Sequence, residues 1–260
     1  MPEDNAIQRH CAEIERCNQR GGRMLSIVDL IEAGTLSREL AAHALAAIGN
    51  GASFLVGARP GGAGKTTVMC ALLNFVPRDV ELAPADGMEA IAAGRAICQN
   101  APQRRCYICH EIGSGPYYAY LWGAELRAYF ALPQAGHILA TNLHADTYAE
   151  ARNQICVENG VAEAALRRLH LMFFLSVRRR GQGVVRRIES VWESDGSSTH
   201  RQILAADGSN AGVEPSSLVP AQELTRAREA IEQILKSGAR TIEEVRAAVL
   251  LFLKPQMNTD

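Results

Sequence analysis

The chain has 260 residues with a formal net charge of -1, and 47% of it is hydrophobic against 21% charged. That balance excludes extended disorder and suits one or two globular domains of ~100–200 residues. Lys+Arg of 27 against Asp+Glu of 28 leaves no overall basic field to attract nucleic acid, so only a local patch could bind it.

No apolar run reaches the ~18 residues needed to span a bilayer. The start, Met-Pro-Glu-Asp-Asn, is acidic and has no apolar segment behind it of the kind that marks a secretory signal. Seven cysteines are an odd count without framework spacing, and they read as reduced thiols in a cytoplasmic protein.

Residues 1–23 are polar with a Gly21-Gly22 break, either a docked helix or a ragged start. Short helices are expected over 26–33, stopped by Gly34, and over 38–48, with Ser37 as N-cap and Gly49-Asn50-Gly51 as the end. Residues 53–57 form a short apolar run of the kind expected of a buried parallel strand. A glycine-rich turn and a helix over 65–73 follow. Strands are then expected at 79–83, 106–110 and 137–142, alternating with helices at 87–98, 116–132 and 147–158. This alternation predicts a parallel sheet with helices on both faces.

After Leu169 the texture changes. Three strands, 171–177, 184–193 and 200–204, are joined by glycine-containing turns and suggest an antiparallel extension. A Gly/Ser/Pro loop spans 205–220. Helices over 221–236 and 241–253 close the chain, the second opening on Thr241-Ile-Glu-Glu244 in capping-box form. The expected organisation is a short helical lead-in (1–50), an α/β core (51–205), and a loop with a helical appendage (206–260).

The sharpest motif is Arg59-Pro60-Gly61-Gly62-Ala63-Gly64-Lys65-Thr66-Thr67, between an expected strand and an expected helix. Small residues let backbone N–H groups curl around an anion, and the helix N-terminus adds its partial positive charge. Lys65 is expected to reach the β- and γ-phosphates of ATP, and the Thr66 hydroxyl to hold Mg²⁺. The pattern G-x-x-x-x-G-K-[ST] asks for glycine where this chain has Arg59, which either alters the loop or adds a cation beside the phosphates.

Arg105-Cys-Tyr-Ile-Cys-His-Glu111 reads as an apolar strand ending in an acid, and Glu111 is the candidate for activating the attacking water. Glu125 is a second acid, but it falls inside an expected helix. Cys106-Tyr-Ile-Cys109-His110 satisfies the C-x-x-C-H haem pattern. On a strand, however, positions i and i+3 face opposite ways, so buried reduced cysteines are the better reading.

Gly136-His137-Ile-Leu-Ala-Thr-Asn-Leu-His144-Ala145 resembles the histidine-box strand of the type II/IV secretion and pilus motor ATPases. Leu25-Ser-Ile-Val-Asp-Leu-Ile-Glu-Ala-Gly-Thr-Leu-Ser37 resembles the lead-in of the Tad-pilus and conjugation branch. Residues 171–177 and Val184-Val-Arg-Arg-Ile-Glu-Ser190 resemble the strands that follow the box. The resemblance covers about residues 24–204.

It implies a RecA-like P-loop NTPase domain, assembled as a hexameric ring and hydrolysing ATP with Mg²⁺. Such a ring would sit in the cytoplasm or peripherally at the inner membrane, against a secretion or pilus platform protein. By position, Lys65, Thr66, Glu111 and His144 inherit nucleotide, Mg²⁺, water-activating and γ-phosphate-sensing roles, with His137 carried over beside them. The family's acidic box is represented at most by Glu81 or Asp86. Glu111 is followed by Ile-Gly-Ser-Gly-Pro, without the family's arginine.

His137 and His144 are seven apart, so an uninterrupted strand would face them opposite ways. Arg178-Arg-Arg180 with Arg186-Arg187 forms a basic hairpin. It reads as a solvated turn or as a surface for a neighbouring subunit's nucleotide, an anionic lipid surface or nucleic acid. Tyr117, Tyr118, Tyr120 and Trp122 are expected to pack on a helix. Arg59 and the missing arginine also suit a nucleotide-binding regulator that does not hydrolyse, and the basic hairpin suits a nucleic-acid-dependent ATPase. The balanced charge argues against nucleic acid as a partner.

Overall fold

The computed structural model describes residues 2–18, 21–87, 92, 104–181, 183–205 and 216–253. The helix expected over 87–98 and the loop over 205–220 fall largely outside the described residues.

Three helices open the chain: α1 (Pro2–Arg16), α2 (Ile27–Glu32) and α3 (Arg38–Gly49). Ser37 caps α3 by accepting the Leu40 N–H at 3.1 Å. Strand β1 (Phe54–Gly57) follows and leads through the glycine-rich turn into α4 (Lys65–Leu73).

The remaining strands are β2 (Glu81–Pro84), β3 (Arg105–Ile112), β4 (Tyr120–Leu121), β5 (Ile138–Leu143), β6 (Leu171–Arg180), β7 (Gly183–Glu193) and β8 (Arg201–Leu204). They form one sheet in the order β2-β3-β5-β1-β6-β7-β8, with β4 beside β3. Every pairing from β2 to β6 is parallel, while β7 and β8 extend the sheet antiparallel. This is the α/β architecture that the alternation predicts.

Side-chain alternation divides the core into two layers. Phe54 and Val56 of β1 face an apolar cluster with α1 to α4. The same cluster takes in α8 (Ala221–Ser237) and α9 (Ile242–Phe252). Leu55 faces a second cluster under α5 (Gly123–Tyr129), α6 (Tyr148–Arg152) and α7 (Glu163–Leu166). The buried Arg246 of α9 donates to the carbonyls of Asn74 and Val76 at 2.7 and 2.6 Å, joining that helix to the end of α4. The capping box at Thr241 and Glu244 is present.

The helix expected over 116–132 does not form. Tyr120 and Leu121 pair instead with Glu111 and Ile112, and only Gly123–Tyr129 is α-helical, followed by a 3-10 turn at Leu132–Ala135. Positive φ at Ala119 (53°) and Gly123 (58°) breaks any continuous helix there. Tyr117, Tyr118 and Trp122 are therefore exposed, and the expected helix packing by these aromatics is overturned. The helix expected over 147–158 splits into α6 and a π turn at Asn153–Glu158. The arginines at 178–180 lie within β6 rather than in a turn.

Candidate functional site

The site gathers at the C-terminal ends of β1, β3 and β5, where a parallel sheet presents its loops to one side. Gly57 ends β1 because there is no room for a side chain: a Cβ there would lie 2.7 Å from both the Ala145 carbonyl and the Phe174 ring. The following loop turns through left-handed Gly62 (φ 79°) and Gly64 (φ 100°) into the N-terminus of α4. Glycine reaches that conformation without strain, Ala63 N–H closes the turn on the Pro60 carbonyl at 3.2 Å, and the helix end adds its dipole.

Arg59 adopts no left-handed backbone, since Ala119 is the only non-glycine with positive φ among the described residues. Arginine is therefore tolerated where the motif pattern has glycine. Its side chain turns away from the loop to Glu150 Oε1 at 2.7 Å, and its N–H donates to Asp146 Oδ1 at 2.7 Å. Asp146 N in turn donates to Glu150 Oε2 at 2.9 Å.

Lys65 is buried at the first turn of α4. Its Nζ lies 3.3 Å from the Ala58 carbonyl, 3.2 Å from His144 Nδ1 and 3.3 Å from Glu111 Oε2. His144 Nδ1 also lies 2.9 Å from the Arg59 carbonyl. Lys65, Glu111 and His144, distant in sequence, thus meet at the mouth of the loop.

Glu111 is the penultimate residue of β3, close to the strand end that the sequence suggests, and a β-bulge sets its direction. Cys109 pairs with Thr141 and Ile112 with Leu143, so two residues of β3 oppose the single Asn142. Strict alternation would put Glu111 on the face of Cys109, which belongs to the cluster away from α4. The bulge brings it to Lys65 instead. Burial pushes the Glu111 carboxyl upward, against the opposing pull of Lys65 and His144.

Asn142, which carries no motif signal of its own, completes the arrangement. Its Nδ2 donates to the His110 carbonyl at 2.9 Å and lies 3.5 Å from Thr66 Oγ1. Its one legible mark is an amide side chain, next to Thr141, in a largely apolar strand. Asp146, Glu150 and Arg186 are the other neighbours of the loop to which sequence reasoning assigned no place there.

His137 takes no part. It precedes β5 while His144 follows it, roughly 23 Å apart along an extended strand. His137 Nδ1 accepts the Arg105 N–H at 3.1 Å. Glu81 is likewise at the other end of the sheet, 3.6 Å from Arg105. Cys106 and Cys109 are buried on opposite faces, in different clusters. Burial raises both thiols, Cys109 to about 12, which suits structural cysteines.

A bound magnesium nucleotide fits the residues present. Glu111 Oε1 and Asn142 Oδ1 are buried oxygens without a hydrogen-bond partner, and both belong to side chains that flank Lys65 and Thr66. Hard oxygen donors of this kind suit Mg²⁺ and its bound waters. Among the described residues no group of three or more His, Cys, Asp or Glu could hold a metal ion by itself. No described helix is long and apolar enough to cross a membrane.

No family model and no curated protein matches the chain. Among solved structures, it is similar to the VirB11 ATPase of the Brucella suis type IV secretion system in complex with sulphate. That likeness has a TM-score of 0.43 and 19% identity, over 64% of this chain and 54% of that one. It is similar to the ATPase DotB of Legionella pneumophila, with a TM-score of 0.42 and 13% identity, over 86% of this chain and 57% of that one. For DotB of Yersinia pseudotuberculosis the figures are 0.42, 11%, 85% and 62%. The matched region thus covers less than two thirds of each of these proteins.

Proposed function

We propose that the chain is the nucleotide-hydrolysing core of a motor ATPase of the secretion and pilus-assembly kind. ATP binds with its phosphates in the loop at residues 60–67. The loop amides and the N-terminus of α4 hold the phosphate oxygens, and Lys65 leaves Glu111 to reach the β- and γ-phosphates. Thr66 and Asn142 stand where Mg²⁺ and its waters would be held. When bound, Mg²⁺ would supply positive charge that offsets the negative charge of the phosphates.

Glu111 orients the attacking water and takes its proton, as a carboxylate raised by burial can do. His144, beside Lys65, senses the γ-phosphate and links it to Arg59 and the start of α6. The assembly in this reading is a homo-oligomer, a hexameric ring at the cytoplasmic side of the inner membrane, against a secretion or pilus platform protein.

The observation that carries the reading is the Lys65–Glu111 pair at a left-handed glycine cradle, with one carboxylate oxygen unpartnered. The test is ATP binding and phosphate release by the full chain across a range of protein concentrations. Lys65→Ala is expected to abolish turnover and to weaken ATP binding about 10- to 100-fold, the worth of a charged hydrogen bond. A wild-type chain that neither binds ATP nor releases phosphate would refute the proposal. A second reading, a nucleotide-binding regulator that does not hydrolyse, is favoured by Lys65 being engaged with Glu111. It is selected if the wild type binds ATP yet turns it over no faster than Glu111→Gln.

A further inference from the structure

Neighbouring arginines on the β6–β7 hairpin meet different surroundings. The antiparallel register pairs Arg186 with Val177 and Arg187 with Ser176. Val177 packs against the apolar cluster that contains α4, so Arg186 projects on the side of α4 and Arg187 on the other. Arg186 Nη2 donates to the Gly62 carbonyl at 3.4 Å. Its Cδ passes 3.3 Å from where a Cβ on Gly64 would stand. The Arg186 side chain therefore lies across the two left-handed glycines that shape the cradle, and a side chain at Gly64 would crowd it.

The charges around the loop separate this arginine from the other cations. Lys65 has Glu111 at 3.3 Å and Arg59 has Glu150 at 2.7 Å. Arg186 has no carboxylate partner among the described residues. Its contact with Gly62 is near the outer limit for a hydrogen bond and is readily exchanged for a phosphate oxygen. A planar guanidinium with several donors suits the terminal phosphate of a nucleoside triphosphate, where charge spreads over the equatorial oxygens during transfer.

We propose that Arg186 is a phosphate ligand for the nucleotide held by its own chain. It leaves the Gly62 carbonyl on binding and takes the terminal phosphate from the hairpin side, while Lys65 takes it from the other. This rests on the phosphate-loop reading above, and it places in one polypeptide an arginine that ring ATPases can also draw from a neighbouring subunit.

The experiment uses the full chain in four forms: wild type, Arg186→Ala, Arg187→Ala and Lys65→Ala. Affinities for ATP and ADP are measured by fluorescence of a labelled nucleotide, alongside phosphate release. Arg186→Ala is expected to bind ATP about 10-fold more weakly, with a smaller change for ADP, and to lose about 10³-fold in turnover. Arg187→Ala should match wild type. Arg186→Gln, which keeps most of the side-chain length, repeats the measurement if the alanine variant melts at a lower temperature.

If Arg186→Ala and Arg186→Gln retain wild-type affinity ratio and turnover while Lys65→Ala loses binding, this inference falls and the phosphate loop stands. If the wild type binds no nucleotide, both fall. Mixing Arg186→Ala chains with Lys65→Ala chains should restore no turnover, and restored turnover would show an arginine acting between chains and overturn the assignment.

Discussion

Two buried glutamates, each near the end of a strand of the same sheet, are handled in opposite ways. Glu193, at the end of β7, is fully buried, and both of its oxygens are satisfied. His43 Nε2 lies 2.9 Å from Oε2, and Ser217 donates through its N–H at 2.8 Å and its hydroxyl at 3.0 Å to Oε1. Ser216 and Arg201 add further donors. Burial pushes its carboxyl up, but the donors outweigh that and hold it at about 2. Glu111 is 6% exposed, has Lys65 at 3.3 Å and His144 at 3.6 Å, and leaves Oε1 without a partner. There burial outweighs the opposing pull of Lys65 and His144, and the carboxyl is raised. The first acid is a structural joint between α3, the sheet and the approach to α8. The second keeps an oxygen available and holds its charge less firmly, which is what a general base requires.

The largest effect that tests this contrast is on turnover. Glu111→Gln should lower phosphate release by about 10²- to 10⁴-fold, with no loss of thermal stability, because it removes a charge that burial disfavours. A lowered melting temperature with unchanged turnover would reverse the roles assigned to the two acids. Glu193→Gln should do the opposite, costing ~3 kcal/mol by removing the carboxylate that Ser216, Ser217 and Arg201 donate to, while ATP affinity is unchanged.

The two variants should also differ in how their effect depends on pH. The folded-state pKa of Glu193 is depressed, so its stabilisation is present above the ordinary glutamate range and is lost as pH falls toward about 2. The cost of Glu193→Gln should therefore shrink in acid. Glu111 is raised, so its ionised form costs stability at neutral pH, and any stability gained by Glu111→Gln should vanish as pH falls below the ordinary carboxylate range. Urea melts at a series of pH values read both slopes, and equal slopes would dissolve the distinction. The smallest effect concerns the other histidine: His137→Ala should cost ~1–2 kcal/mol by orphaning the Arg105 N–H and leave ATP affinity untouched. A change in affinity would bring His137 back into the site.

Most of the parallel core was legible because its signals are local. Residues 54–57 are short, apolar and followed by glycines, and α3 and α9 carry side-chain caps that can be read directly. The segment 116–132 misled because aromatic spacing suggested a helix, while the pairing of Tyr120 and Leu121 with β3 depends on a partner nine residues away. Pairing across a sheet is a non-local choice that propensity does not encode. Glu111 was legible as an acid on the right strand, but its direction was not, because it depends on a bulge against β5.

The residues alone determined a loop of the phosphate-cradle form: small residues, a lysine and a hydroxyl in order between an apolar strand and a helix are a property of adjacent positions. What surrounds the cradle was decided by tertiary structure. The bulge turns Glu111 toward Lys65, Asn142 reaches Thr66 from β5, Asp146 and Glu150 restrain Arg59, and the hairpin carries Arg186 over Gly62. Each of these contacts joins segments dozens of residues apart, and the packing that closes such distances is set by the whole core, not by any stretch of chain within it.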